Sequence, residues 1–231
     1  MARPSQPLIS RDAAVIAALE IIDAEGLGQF SLPKLARRLG VSAPALYHHF
    51  TDKNEILSSV VKHIVAKSVS GRRDTPGEDW TDFFVARALN FRQAMLRHRN
   101  AAPILIEHLP SEILGKSAEE AAKFLTDSGI PVHLHVQILD GVETIVIGAV
   151  LAEAAEKSRS HALASVDTRS RPYLAKALAA HEMSARTLYA QRIRTYLHGV
   201  MHEAAAGRCN VKRRSTANWG RPLGRPHIDY C

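Results

Sequence analysis

The sequence predicts an all-α protein, and three observations carry that expectation. Strand-like alternation is nearly absent from the 231 residues. Apolar residues recur instead at three- and four-residue spacing over long stretches. Those stretches open on Ser, Asp or Pro and close on Gly, the residues that start and stop helices.

Taken in order, Ser10 caps a first helix that Gly26 stops, with Val15, Leu19 and Ile22 on one face and Ile16 and Ala18 beside them. A second helix starts at Ser31 and runs through LPKLARRL to Gly40. Its Pro33 sits in the first turn, where a missing N–H does no harm. A third is predicted over 43–49, with Ser42 as cap and Pro44 in the first turn. A fourth starts at Asp52, where Glu55 completes a capping box, and runs through EILSSVVKHIVAKSV to Gly71. The run GRRDTPGED (71–79) reads as a linker. Further helices are expected at 80–99, 104–109, 111–128, 132–158, 170–181 and 184–206, with SRSHALASVDTRSRP (158–172) as a polar connection. Residues 207–231 combine Gly, Pro and Arg with little apolar periodicity and are expected to be disordered.

Composition narrows the class. Hydrophobic residues make up 46% of the chain, and no apolar run approaches the roughly 18 residues of a membrane span. The start MARPSQPLIS lacks the apolar centre of a secretory signal, so a cytoplasmic location is expected. The two cysteines, Cys209 and Cys231, form neither a disulfide framework nor a four-ligand zinc site. Net charge is +2 over residues 1–70, zero over 71–206 and +5 over 207–231. Basic ends around a neutral middle fit a protein that touches a polyanion with its ends.

The run LGVSAPALYHHFTDK (39–53) concentrates the chemistry. Two short helices joined by the LGVS turn make a helix-turn-helix, whose second helix enters a DNA major groove. Leu35, Leu39, Val41, Leu46 and Phe50 are expected to pack inward. Ser42 and the first-turn N–H groups suit a phosphate, and Ala43 and Pro44 offer a small apolar front to a thymine methyl. Tyr47 and His49 can bond phosphate oxygens, His48 can reach a base edge, and Lys53 and Lys34 are placed for phosphates.

Over these residues, and over the first helix, the chain resembles the tetracycline-repressor (TetR) family of transcriptional regulators. The run EDWTDFFVARALNFRQAMLRHRNAAPILIEHLPSE is similar to the corresponding region of the tetracycline repressors themselves. The resemblance implies a homodimer with an N-terminal three-helix DNA-binding domain (1–70) and a larger effector-binding and dimerisation domain (71–206). It implies a repressor released from double-stranded operator DNA by a small-molecule ligand. Pro44, Tyr47, His49 and Lys53 match family positions that contact the operator. The family's base-reading arginine is replaced by Pro33 and its glutamine by Ala43, so a different operator is expected. The histidine that ligates drug-bound magnesium falls at Leu105 and a ligating glutamate near Ala152, with His108 and Glu153 displaced. An effector other than tetracycline–magnesium is therefore expected.

Phe83, Phe84, Phe91, Met95, Leu105 and Phe124 are the expected apolar lining of an effector cavity. Arg87, Asn90, His108, His133, His135, Asp140 and Glu143 are the polar groups that could orient a ligand. The segments VQILDGVETIVIGAVLAEAAE and RTLYAQRIRTYLHGVMHEAAA mix large aliphatics with Gly and Ala, as a four-helix dimer interface would. His198 and His202 share a helix face but lack a third ligand, so no metal and no cofactor are expected. No nucleophile elbow, phosphate loop or metalloprotease helix is found, so the chain reads as no enzyme. The alternatives are a helical small-molecule-binding protein or enzyme without sequence-specific DNA binding, and a DNA-coating protein driven by the basic tail.

Overall fold

In the computed structural model of the chain, residues 9–66, 80–155, 163 and 166–207 are described. Among them there are ten α-helices and no strand. They are α1 (Arg11–Glu25), α2 (Leu32–Leu39), α3 (Ala43–Leu46), α4 (Lys53–Ala66), α5 (Trp80–Arg97), α6 (Ile104–His108), α7 (Ser111–Asp127), α8 (His135–Ala155), α9 (Pro172–Ala179) and α10 (Ala185–Ala205). Single 3₁₀ turns at Leu27–Gln29, Arg99–Ala101 and Val132–Leu134 link them. The expected continuation of α4 to Gly71, the linker 71–79, the far end of α8 and the basic tail lie outside the described residues.

Local chemistry explains several ends. The Ser10 hydroxyl accepts from the Ala13 N–H at 3.1 Å and starts α1. At α4, the Asp52 carboxylate accepts from the Glu55 N–H at 2.8 Å. The returning Glu55 carboxylate accepts from the N–H and hydroxyl of Thr51 at 2.6 and 2.9 Å, one residue earlier than a capping box requires.

The apolar residues form two cores. One gathers α1 to α4 around Ile22, Leu35, Leu46, Ile56 and Val60. It also takes in residues beyond the head: Ala94, Met95, Ala101, Ala102, Ile104, Leu105 and Val150. The other joins the start of α5 to α7, α8 and α10, around Phe84, Leu125, Ile138, Tyr189 and Leu197. Polar ties cross the same head–body seam. The Asp23 carboxylate lies 2.7 Å from His98 Nδ1, Asn100 Nδ2 donates to the Asp23 carbonyl at 2.8 Å, and Lys62 pairs with Glu112 at 3.0 Å.

α8 and α10 cross closely because of one glycine. A Cβ on Gly141 would stand 2.0 Å from the Tyr196 hydroxyl oxygen. That space lets the phenol donate to the Gln137 carbonyl at 2.6 Å. Of the 21 residues of α8, only His135, Ile138 and Val150 are fully buried, although the helix is apolar on nearly every side. Val142, Ile145, Val146 and Ile147 stay half-exposed. Ile145 also lines an open groove with Leu188, Gln191, Arg192, Thr195 and Tyr196.

Candidate functional site

The turn between α2 and α3 is built around Gly40, whose φ of +68° and ψ of 28° lie in the left-handed region. Two backbone bonds close it: Gly40 N–H to the Arg37 carbonyl at 3.2 Å and Val41 N–H to the Ala36 carbonyl at 3.0 Å. Leu35, Leu46 and Phe50 are buried beneath it, with Leu39 and Val41 half-buried against the same core.

The third helix is shorter than expected. α3 ends at Leu46, and residues 47–49 continue as a turn. After Pro44 three-residue bonds appear, Tyr47 N–H to Pro44 and His49 N–H to Leu46 at 3.1 and 3.0 Å, the Leu46 carbonyl also accepting from Phe50 N–H at 3.0 Å. The Ser42 hydroxyl makes no capping bond. A four-residue helix carries little macrodipole, so any phosphate held there would meet single N–H groups and not a helix end.

Tyr47 is 57% exposed, and Ser42, Pro44, His48 and Lys53 are exposed too. Pro44 and Tyr47, three residues apart across a three-residue bond, share a face, and the exposed His48 follows in the turn. Ala43 and His49 are half-buried. Lys53 holds its ammonium 5.6 Å from the centre of the Phe30 ring. Lys34 is engaged elsewhere, with its Nζ 2.5 Å from Glu25.

Arg11 pins the end of this segment, a role that nothing in its local sequence announces. Its guanidinium donates to the His49 carbonyl at 2.5 Å, to Glu55 at 2.5 Å and to Ser59 at 3.2 Å. It also stacks 4.5 Å over the Phe50 ring. The Thr51 N–H, and after it Arg11, hold the Glu55 carboxyl down from the ordinary 4.5 to about 2. That carboxylate stays ionised and keeps α1, the 47–50 turn and α4 in one register.

The residues expected to line or orient an effector divide between the two cores and the surface. Phe84 and Phe124 lie in the second core, and the Phe83 and Phe124 rings stack 4.0 Å apart between α5 and α7. Phe91 and Leu105 belong to the core shared with the head, Leu105 being only 2% exposed. The cause is length: twelve residues of α5 separate Phe83 from Met95, about 18 Å along the axis. His135 is buried and its Nε2 lies 2.9 Å from the Ile130 carbonyl, so it closes the turn before α8. Asp140 is exposed and His108 is half-buried, 3.7 Å from Glu107. Arg87 lies over Phe83 and reaches Ser117 at 3.0 Å and Glu120 at 3.3 Å. Glu143 is half-buried; burial, and then Asp140, raise its pKa.

A part-buried ion pair that local sequence could not announce lies between these groups. Arg92 grips Glu153 with two nitrogens, Nε at 2.9 Å, and sits 5.6 Å over the Tyr189 ring. Arg99 donates to the Glu153 carbonyl. Burial pushes the Tyr189 phenol up, so it stays neutral and donates to the Ala88 carbonyl at 3.1 Å. Among the described residues no three His, Cys, Asp or Glu side chains cluster as metal ligands.

Comparisons with known proteins agree with this layout. The profile of "Bacterial regulatory proteins, tetR family" matches residues 15–60. That of "Tetracyclin repressor-like, C-terminal domain" matches residues 74–192. The class E tetracycline repressor protein of Escherichia coli is 33% identical over 147 residues, 64% of this chain and 70% of that protein. The class D repressor of the same organism is 29% identical over 145 residues, which span 66% of its length, just under two thirds. The structure of a TetR variant from Acinetobacter baumannii AYE, in complex with minocycline, superposes with a TM-score of 0.61 at 26% identity, covering 84% of this chain and 97% of that one. The ActR structure from Streptomyces coelicolor, in complex with (S)-DNPA, superposes with a TM-score of 0.68 at 23% identity, covering 85% and 98%, and supports the fold. A head that presents Pro44, Tyr47 and His48 beside a Gly40 turn, joined to a helical body that the second profile covers, places the chain in the TetR family of bacterial regulatory proteins.

Proposed function

We propose that the protein is an effector-responsive repressor that binds operator DNA as a homodimer in the cytoplasm. The observation that carries the reading is the α2–α3 unit, in which Leu35, Leu46 and Phe50 hold it from beneath while Pro44, Tyr47 and His48 stand outward. The head corresponds to residues 1–70, the effector and dimerisation body to 71–206 and the basic tail to 207–231. Ser42, Ala43, Pro44, Tyr47, His48, His49 and Lys53 form the proposed DNA surface; Lys34, tied to Glu25, stands outside it.

The apolar side of α8 and the groove it shares with α10 support the dimer, because a second copy of the same face would cover both. The two-fold axis then sets the two α3 segments about 34 Å apart, in successive major grooves. Arg87, His108 and Glu143 are the proposed polar contacts of the effector. Glu153, already held by Arg92, and Leu105, sunk in the head's core, support an effector other than tetracycline–magnesium. The seam through Asp23, His98 and Asn100 is the proposed route from effector to DNA. A ligand that favours the released state by a few kcal/mol shifts such an equilibrium.

The test is retardation of the DNA upstream of the protein's own gene, with particle mass measured by light scattering. The reading expects two chains per duplex and no retardation by Tyr47→Ala. A monomer that binds every sequence equally, or full retardation by Tyr47→Ala, would overturn it.

A further inference from the structure

The second helix divides its cations between two jobs. At 100° per residue, Lys34 and Arg38 stand one turn apart on the same stripe of α2. Both end on α1: Lys34 on Glu25 at 2.5 Å and Arg38 on Glu20 at 2.9 Å. That flank is closed against the first helix. Pro33 and Arg37 are also one turn apart and form the neighbouring stripe, turned away from α1. Gly40 follows Arg37 by three residues, so the stripe runs into the turn that delivers Ser42 and α3. Leu35 and Ala36 occupy the buried side.

Residues 9–66 contain six lysines and arginines. Arg11 is taken up by His49, Glu55 and Ser59, Lys62 by Glu112, and Lys53 lies over Phe30. Arg37 is exposed, and its guanidinium makes no hydrogen bond, ion pair or ring contact with any described residue. Its charge is uncompensated, whereas Lys34 and Arg38 each carry a carboxylate that cancels their field and repels a phosphate.

We propose that Arg37 is the α2 residue that contacts the DNA phosphate backbone beside the recognition turn, with Lys34 and Arg38 serving to hold α2 on α1. The proposal rests on the DNA-binding reading above. Its chemistry is a planar guanidinium fork donating to two phosphate oxygens. Binding there breaks no internal pair.

The test is a salt series of binding isotherms, by fluorescence anisotropy, on two duplexes: the fragment upstream of the protein's own gene and an unrelated one. Arg37→Ala should lower the slope of log K against log salt by about 0.9 on both duplexes. That exponent amounts to a deficit against the wild type that grows about eightfold for each tenfold fall in salt. Arg37→Lys should restore the slope. Lys34→Ala and Arg38→Ala should leave the slope unchanged and lower the melting temperature instead. Because the Arg37 guanidinium has no polar or ring partner among the described residues, Arg37→Ala should melt like the wild type, which separates a lost contact from a damaged head. An unchanged slope for Arg37→Ala, alongside lost binding by Tyr47→Ala, overturns the proposal and leaves the DNA-binding reading standing. A lower affinity with an unchanged slope also overturns it. Failure of the wild type to bind either duplex overturns both.

Discussion

Replacing Glu153 with glutamine keeps the shape of the side chain and removes its charge, leaving Arg92 without a counter-ion. The Arg92 and Glu153 side chains are 15% and 19% exposed. Exposed pairs are worth about 0–1 kcal/mol, and stranding one partner of a fully buried pair costs about 3–5 kcal/mol. The small residual exposure admits some water, so the cost should fall just below the buried range, at about 2–3 kcal/mol. Arg99 is not disturbed, because it donates to the backbone carbonyl of Glu153 and not to the carboxylate. For a chain of this length a loss of that size lowers the melting temperature by about 5–10 °C. Circular dichroism at 222 nm against temperature reads the shift at fixed protein concentration. The companion measurement is the apolar pair Arg92→Met with Glu153→Leu, which removes both charges and should return to within about 1 kcal/mol of the wild type. A shift below about 2 °C for Glu153→Gln, or a double variant as unstable as the sum of its singles, would refute the claim that this pair is mostly desolvated.

Three further outcomes follow from the geometry. Gly40→Ala should cost about 1 kcal/mol through left-handed backbone strain alone, since a Cβ there meets nothing within 4 Å; Gly40→Asn should cost less, and urea melts distinguish them. Glu55 has a depressed folded pKa, so its contribution is present above its ordinary 4.5 and lost as pH falls toward about 2; acid titration of Glu55→Gln should lack that segment of the wild-type loss. Glu143 has a raised folded pKa, so ionising it opposes folding as pH rises past the usual carboxylate range; Glu143→Gln should melt higher than wild type at neutral pH, with the gap closing in acid.

What the sequence disclosed was whatever depends on neighbours along the chain. Ser10, Asp52 and Glu55 announce helix starts because capping acts within four residues, and Gly40 announces its turn because only one backbone conformation is at stake. The length of α3 was not legible, since Tyr47, His48 and His49 are middling helix formers and the His49 carbonyl is held by Arg11 from 38 residues away. The same limit hid Arg92–Glu153, 61 residues apart, and Asp23–His98, 75 apart. The division of the expected effector lining between two cores was hidden for another reason. Period and burial identified Phe84, Leu105 and Phe124 as interior, but periodicity does not say which of two interiors a residue enters. Leu105 entered the one shared with the head.

That shared interior bears on how such a protein can be taken apart. Met95, Ile104, Leu105 and Val150 lie against Ile56, Val60 and Ile64 in one continuous apolar cluster, so a cut between the modules would bare greasy surface on both halves. Grafting this head onto a relative's body would therefore transplant only part of a jigsaw, and a working chimera would need its seam residues carried across with it.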